Sequence, residues 1–587
     1  MHILGLSFDY HDAAAAIVVD GRVVAAAHEE RFSRVKHDSR FPAHAVRFCL
    51  AEAGITAEEI DHVVHYERPL LKFDRILRTA LRRPRKAKTF LRDTLVDWFR
   101  EGKFDVAQRI SRSIGIPEAK IVFCDHHAAH TAAAFFCSPF DEAVIVTLDG
   151  VGEYETATIS VGRGNRIEKL AAVDYPDSIG LFYSAFTAYL GFEVNEGEYK
   201  VMGMAGFGEP RYWAEVLDLF DLKPDGTFAL KQDLFDFLMP ETYPFTPALA
   251  TWLGEARNPE SPFDPRGLKG DAVADASRRY ADVAASVQYA TEEVVLHIVR
   301  CAMQRSGLKN VCMAGGVALN SVANGRIVRE LGASLYVQPA AGDAGSALGA
   351  AMHQAHAVLR QPRQGALTTP YLGFANSEAA IAAAVSEAYL EPAKVYDSDE
   401  ELVEDVAERL SQGAVIGWVQ GRAEWGPRAL GARSILADPR RLDMQARVNE
   451  KIKFRELFRP FAPSVLVERA TEFFDLAEPM APTSPEHFML AVAPVRAEAR
   501  ERIPAVTHID GTARLHLVER AVHPIYYGLI EAFGKRTGVP VLLNTSFNLR
   551  GEPIVNTATD AIKTFQWSGM DALVLGHTLL LKEELGV

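Results

Sequence analysis

The chain opens with a short apolar run, Ile3-Leu4-Gly5-Leu6, then a polar loop, then the apolar stretch Ala13–Val19 and a third run from Val23 to Ala27. Asp20-Gly21 between the last two is a strong two-residue hairpin signal, so this segment predicts strand, loop, strand, turn, strand. The same grammar returns in "EAVIVTLDGVGEYETATISVGRGNRI", where a Val/Ile/Thr run reaches Asp149-Gly150-Val151-Gly152 and a Thr/Ile/Ser strand follows. Two such units, each approached by alternating helices and strands, predict an internally duplicated α/β domain. Both turns suit a phosphate, because small residues let backbone N–H groups approach an anion.

Further along, "NVCMAGGVALNSVANGRI" is a buried strand ending in Gly315-Gly316 and entering a helix past Asn320. "SLYVQPAAGDAGSALGAA" repeats the device with Asp343 in the turn. The Pro/Gly/Thr/Gln-rich text after Val358 marks a linker over 359–373, between a first domain at 1–358 and a second at 374–587. The second half predicts helices near Ser377–Tyr389 and Asp399–Leu410, the strand "AVIGWVQGR", and the strand-turn "VPVLLNTSFNLRGEPIV".

At 587 residues, with 48% hydrophobic and 24% charged positions, the chain is a globular protein large enough for two cores. It holds no apolar run long enough to span a membrane. Its N-terminus lacks the features of a signal peptide, so a cytoplasmic location is expected. Five scattered cysteines form no CxxC pair and are expected to be reduced thiols. The formal net charge of −14 discourages non-specific nucleic-acid binding. One segment opposes it: Arg68–Lys103 carries twelve Lys/Arg against four Asp/Glu, and its Leu and Phe positions follow helical spacing broken at Pro84. Such a run is either two surface helices with a basic outer face or a lid or docking surface for an anionic or bulky acceptor.

Three groupings carry candidate chemistry. In "CDHHAAH", His126 and His130 are i, i+4 and share one helical face, while His127 points about 100° away. The pair either binds a metal or is satisfied by backbone carbonyls. If the duplicated fold brings Asp149 and Asp343 to one cleft, a two-His, two-Asp set suits Fe(II), Mn(II) or Zn(II). His11, in the first turn, is either a turn histidine or a general base. The third grouping, from Arg428 and Arg433 through Lys453, Arg455 and Arg459, supplies cations suited to phosphate and carboxylate oxygens, to which Asn544, Thr545 and Ser546 add polar donors.

Together, "HDAAAA", "EERFSRVKH", "DHHAAH", "LDGVGE", "NEGEYKVMGMAGFG", "AGGVALN", "AGDAGSALGA", "GRAEWGPRALGARSIL", "RELFRPFAP", "HIDGTAR" and "LNTSFNLRGEPIV" resemble the carbamoyltransferases of the nodulation-protein and antibiotic-biosynthesis family. The motif order holds over nearly the whole chain. The resemblance implies an N-terminal domain like TsaD, with the actin/sugar-kinase/Hsp70 fold, and an α+β C-terminal domain like YrdC. It implies that carbamoyl phosphate and ATP, with Mg, give carbamoyl adenylate in the second domain. Transfer to an acceptor hydroxyl then takes place in the first, beside iron. By motif, His126, His130, Asp149 and Asp343 match the metal ligands and His11 the base. Gly150, Gly152, Glu198, Lys200, Gly315, Gly316 and Asn320 match the adenylate cleft. Arg428, Arg433, Lys453, Arg455, Arg459, Arg514, Asn544, Thr545, Ser546 and Arg550 match the carbamoyl phosphate and ATP pocket.

The expected acceptor is a small natural product, such as an aminoglycoside or a macrolide or polyketide sugar. Arg68–Lys103 and the Phe237–Asp264 region are candidates for shaping its recognition. No nucleic-acid or membrane partner is expected, and a homodimer is the default. The competing readings are a tRNA threonylcarbamoyl transferase-like enzyme and a non-catalytic adenylate- or metal-binding protein of the same fold.

Overall fold

The computed structural model describes residues 1–582 except 83, 238–242, 266–269, 457, 477–480 and 482. The chain forms two compact units. One comprises Met1–Tyr10, Ala14–Val24 and Leu50–Ala366, and the other His11–Ala13, Ala25–Cys49 and Leu367–Val587.

In the first unit, β1 (His2–Ser7) pairs antiparallel with β2 (Ala14–Val19), beyond which lies the opening of β3 (Arg22–His28). On its other side β1 pairs parallel with β4 (His62–His65), which pairs parallel with β5 (Ile121–Phe123). The hairpin β2–β3 turns at Asp20 and Gly21, with φ of 48° and 81°, the left-handed pair that the Asp-Gly signal implies. The second sheet repeats the topology. β6 (Glu142–Leu148) pairs antiparallel with β7 (Glu155–Arg163), and β7 with β8 (Arg166–Asp174). After a separate small hairpin, β9 (Phe220–Leu222) and β10 (Phe228–Leu230), the chain adds β11 (Asn310–Ala314) parallel to β6 and β12 (Ser334–Val337) parallel to β11. Both sheets run third-second-first-fourth-fifth in their own strand order. This is the duplicated α/β arrangement of the actin/sugar-kinase/Hsp70 architecture. β1 and β6 are buried at nearly every position, as central strands covered on both faces must be.

The second unit is built on an eight-stranded mixed sheet. Its strands are β13 (Lys394–Val395), β14 (Ile416–Val419), β15 (Arg433–Ala437), β16 (Ala462–Leu466), β19 (His516–Val518), β20 (Val541–Ser546), β21 (Ala572–Leu575) and β22 (Thr578–Leu581). The short pair β17 (Val492–Pro494) and β18 (Thr512–Arg514) stands apart. Alternation along the strands feeds two cores. Ile416, Trp418 and Leu542 pack on one face, and Val415, Val419, Val541 and Leu543 on the other.

The chain divides at Ala366, inside the linker expected at 359–373, but the N-terminal partition differs from a simple 1–358 domain. Backbone and side-chain bonds explain why: Ala26 N donates to Leu372 O, Arg31 to Gly426 O, and Arg34 to the carbonyls of Pro553 and Ile554. His11–Ala13 follows, because Ala13 N donates to Asp38 O and Asp12 binds His37. All five cysteines are buried free thiols. Among the described residues, no helix is long and apolar enough to cross a membrane. Of the Phe237–Asp264 region, residues 238–242 lie outside those described, and the rest holds the helix Pro247–Leu253.

Candidate metal centre and candidate anion pocket

The helix His126–Phe136 starts immediately after Asp125, and its first amide, His126 N, donates to the Glu153 carboxylate at 3.1 Å. Its i, i+4 spacing turns His126 and His130 to one side. That side meets the helix Asp343–Met352, whose first residue is Asp343. The two helices approach closely enough that a Cβ on Gly349 would lie 1.9 Å from Ala129 O, so only glycine permits the contact. Asp149 follows directly on β6. Gly315, at φ +93°, folds the next turn so tightly over that strand end that a Cβ would lie 2.2 Å from Leu148 O. Gly316 N then donates to Asp149 Oδ1 at 2.8 Å, which leaves Oδ2 toward the histidines.

Four donors therefore converge. His126 Nε2 is 3.1 Å from Asp149 Oδ2 and 3.7 Å from Asp343 Oδ1, and His130 Nε2 is 3.9 and 3.4 Å from the same atoms. All four side chains are buried. Burial opposes charging the His126 imidazole, but Asp343, Asp149 and Glu153 outweigh it and raise His126 to about 9. Burial likewise opposes charge on Asp149, which the two histidines and the Gly316 amide nevertheless hold well below the usual carboxylate range. Two imidazoles and two carboxylates within 4.8 Å of one another fit a divalent first-row cation of the Fe, Mn or Zn kind. His127 is not part of this set: it bonds Thr147 Oγ1 at 2.7 Å and Glu155 O at 2.9 Å, and burial depresses its pKa.

The remaining residues of the expected adenylate cleft have local duties. The Gly150 carbonyl accepts from Ser178 Oγ at 2.7 Å and the Gly152 carbonyl from Arg75 at 2.6 Å, so both shape the turn that carries Asp149. Glu198 Oε1 accepts from Ser184 Oγ and Asn195 N, each at 3.0 Å. Lys200 lies over the Phe192 ring. Asn320 caps the helix Ser321–Leu331 and exchanges two amide hydrogen bonds with Gln288.

His11 belongs to the second unit. Its Nδ1 is 2.9 Å from Asp12 Oδ2, and His37 Nδ1 is 2.7 Å from Asp12 Oδ1. Asp12 is held far below the usual carboxylate range: burial opposes its charge, but the two histidines outweigh it. An ionised carboxylate can only accept, so His11 donates through Nδ1, and the neutral imidazole held this way has its lone pair on Nε2. Sequence reading missed Asp12 and His37. The signal available was a carboxylate adjacent to His11 and the "KHD" motif, but nothing local ties the two segments.

In the second unit the cations gather around Lys453 and Arg514, both held below their ordinary pKa chiefly by burial. Arg455 and Arg459 add to this at both groups and Arg428 adds at Arg514, while Glu552 opposes it at Lys453. Lys453 Nζ donates to Ser546 O and Asn548 O at 2.8 Å and to Asn548 Oδ1 at 2.6 Å, which fixes it against the end of β20. Arg455 donates to Asn449 Oδ1 at 2.7 Å and stacks on Phe461. Like charges crowded this way create a field that an incoming polyanion relieves.

Arg433 is a correction. It is wholly buried, and its guanidinium donates to the carbonyls of Asn556, Gln420, Gly421, Ala432 and Phe374. It is the hub of the loops rather than a phosphate ligand. We expect Arg433→Met to lower stability by on the order of 3 kcal/mol, because five carbonyls lose a charged donor at once. Thermal unfolding should show a clear loss that Arg428→Met does not. Asn544 is also framework: it is buried, with Nδ2 donating to Ala429 O and Ser464 Oγ. Thr545 lies in β20 opposite Ile435, Ser546 bonds Asn548, and Arg550 is exposed on the following turn.

Comparison with known proteins bears on both halves. Residues 2–352 match the family described as carbamoyltransferase N-terminus, and residues 407–582 match carbamoyltransferase C-terminus. An uncharacterized Synechocystis protein, sll1178, is 44% identical, with 99% of this chain and 97% of that protein covered. Nodulation protein NolNO of Sinorhizobium fredii is 37% identical over 97% of this chain and 79% of its own, and nodulation protein U of the same species is 28% identical over 96% of each. Among solved structures, T. kodakarensis HypF matches at 14% identity and a TM-score of 0.32, covering 60% of this chain and 48% of its own.

Proposed function

The chain belongs to the carbamoyltransferase family, and from that premise we propose that it is an ATP-dependent O-carbamoyltransferase working through carbamoyl adenylate. The observation that carries this reading is the convergence of His126, His130, Asp149 and Asp343 in the first unit of a chain whose two halves match that family. In the proposed scheme, the cationic cluster of Lys453, Arg514, Arg428, Arg455 and Arg459 receives carbamoyl phosphate and ATP. Water releases phosphate from carbamoyl phosphate to leave carbamate. A carbamate oxygen then attacks the α-phosphorus of ATP, expelling pyrophosphate and forming carbamoyl adenylate. One phosphate and one pyrophosphate are thus formed per carbamoyl group. The Lys and Arg donors offset the charge on the phosphoryl oxygens.

In the second step the acceptor hydroxyl attacks the carbamoyl carbon, AMP leaves, and the hydroxyl proton is taken up. His11 is suited to that proton: the Asp12 carboxylate fixes its tautomer and stabilises the imidazolium that results. His126, His130, Asp149 and Asp343 would hold the metal ion, which when bound supplies a Lewis acid for the carbamoyl or phosphate oxygens. The acceptor is a hydroxyl-bearing natural product.

The test is product formation by the purified protein. Pyrophosphate should appear only when carbamoyl phosphate and ATP are both present; release with ATP alone sinks the scheme. His11→Ala should keep that partial reaction and lose transfer by about 10²–10⁴-fold, the usual scale for a general base. Mass gain of one carbamoyl group across a panel of alcohol acceptors reads the second step. Transfer at the parent rate by His11→Ala would remove His11 from the mechanism.

A further inference from the structure

One feature of the first unit goes beyond the steps above, whether or not its inner face also shapes acceptor recognition. The helices Pro69–Arg82 and Pro84–Arg100 pack their inner faces together, with Phe73, Trp98 and Phe104 in one aromatic cluster at centroid distances of 4.9–5.2 Å. Thr79, Ala80, Ala87 and Trp98 are buried beneath. The outer faces are a different matter. On the first helix Leu70, Leu77 and Leu81 follow i, i+7, i+11 and so form one stripe, with Leu70 65% and Leu81 68% exposed. On the second, Leu95, Val96 and Phe99 form another, with Phe99 74% exposed. A folded protein seldom leaves this many large apolar side chains aligned in water without a use.

The charge around the stripes narrows what that use is. Arg68–Lys103 holds twelve Lys/Arg against four Asp/Glu in a chain whose net charge is −14, and Arg78, Arg92 and Arg100 are exposed within it. The surface pairs Arg78–Asp74 and Arg92–Asp93 do little to neutralise them, since exposed ion pairs are weak. Basic side chains beside exposed Leu, Val and Phe on short amphipathic helices match an interface with anionic lipid: the apolar stripe enters the acyl boundary and the cations meet the headgroups. A nucleic acid would use the cations and leave the leucines unsatisfied, whereas an apolar protein groove would have no use for the charge. We propose that the helix pair Pro69–Arg82 and Pro84–Arg100 docks this protein on the surface of an anionic lipid bilayer. Arg75 bonds the Gly152 carbonyl, so the docking element is tied to the turn that carries Asp149. It departs from the expectation of no membrane partner, made for a chain without a spanning segment. A helix lying in the interface needs none. The proposal stands independently of the carbamoyl-transfer reading.

The test is flotation of the full-length protein with large unilamellar vesicles, either phosphatidylcholine alone or phosphatidylcholine with about a third phosphatidylglycerol. Partition should be at least about tenfold greater on the anionic vesicles and should weaken with salt. Leu81→Ser with Phe99→Ser should abolish it, and so should Arg78→Glu with Arg92→Glu. Leu70→Ser with Val96→Ser serves as an independent apolar pair should the first unfold. Equal recovery with both vesicle types overturns the proposal, as does undiminished binding by the serine variants. Binding of structured RNA as tightly as vesicles, unaffected by the serine substitutions, would make the surface a polyanion site and also overturn it.

Discussion

His130→Ala should bind less than a tenth of the metal held by the parent protein and should transfer carbamoyl groups on the order of 10³-fold more slowly, while still forming carbamoyl adenylate. The expectation follows from how the centre is built. Asp149 and Asp343 are buried beside two imidazoles, and Asp149 is held well below the usual carboxylate range, so removing one imidazole takes away both a donor and part of what offsets the two carboxylates. His127→Ala is the matched control. His127 lies on the same helix, yet it bonds Thr147 and Glu155 and has no place among the four donors. Elemental analysis of both variants reads the metal directly. A full complement of metal in His130→Ala would show that the four side chains do not form the binding site, whatever happens to activity.

Lys453→Ala should cut carbamoyl phosphate-dependent ATP–pyrophosphate exchange by at least about 10³-fold and leave bound metal unchanged. Lys453 is buried, and four of its acceptors belong to Ser546 and Asn548 at and just past the end of β20. Its loss removes a cation from the cluster that includes Arg514 and takes a charged donor away from those acceptors. Lys453→Arg should not rescue exchange, because a planar guanidinium cannot replace a compact ammonium in that slot. Since Lys453 also supports local structure, Arg428→Gln provides a second reading of the pocket, with thermal unfolding run on both. Undiminished exchange in Lys453→Ala, with metal intact, would move adenylate formation to another site.

Much of this architecture is legible in the amino-acid sequence. The Asp-Gly hairpin, the repeated strand–turn–strand grammar and the helical spacing on either side of Pro84 all appear as expected, because each is a local rule of period or turn chemistry. Arg433 and Asn544 misled for the same reason. Their loop looks like an anion site, but whether a guanidinium faces a ligand or five backbone carbonyls depends on strands and loops far away in the chain. The N-terminal partition could not be anticipated either, since Arg31 and Arg34 reach carbonyls about 400 and 500 residues onward.

What the sequence by itself determined is the pairing of His126 with His130 and the exclusion of His127, since 3.6 residues per turn settles which side chains share a face. It also determined the small-residue turns and helices without which Asp149 and Asp343 could not come near that face. Only the tertiary structure decided that they do. The helix of Asp343 packs on the helix of His130 through Gly349 and Ala129, and the turn at Gly315 closes over β6 to hold Asp149. The physical reason is that such contacts join segments over 150 residues apart, and their geometry is set by close packing between elements rather than by any period along the chain.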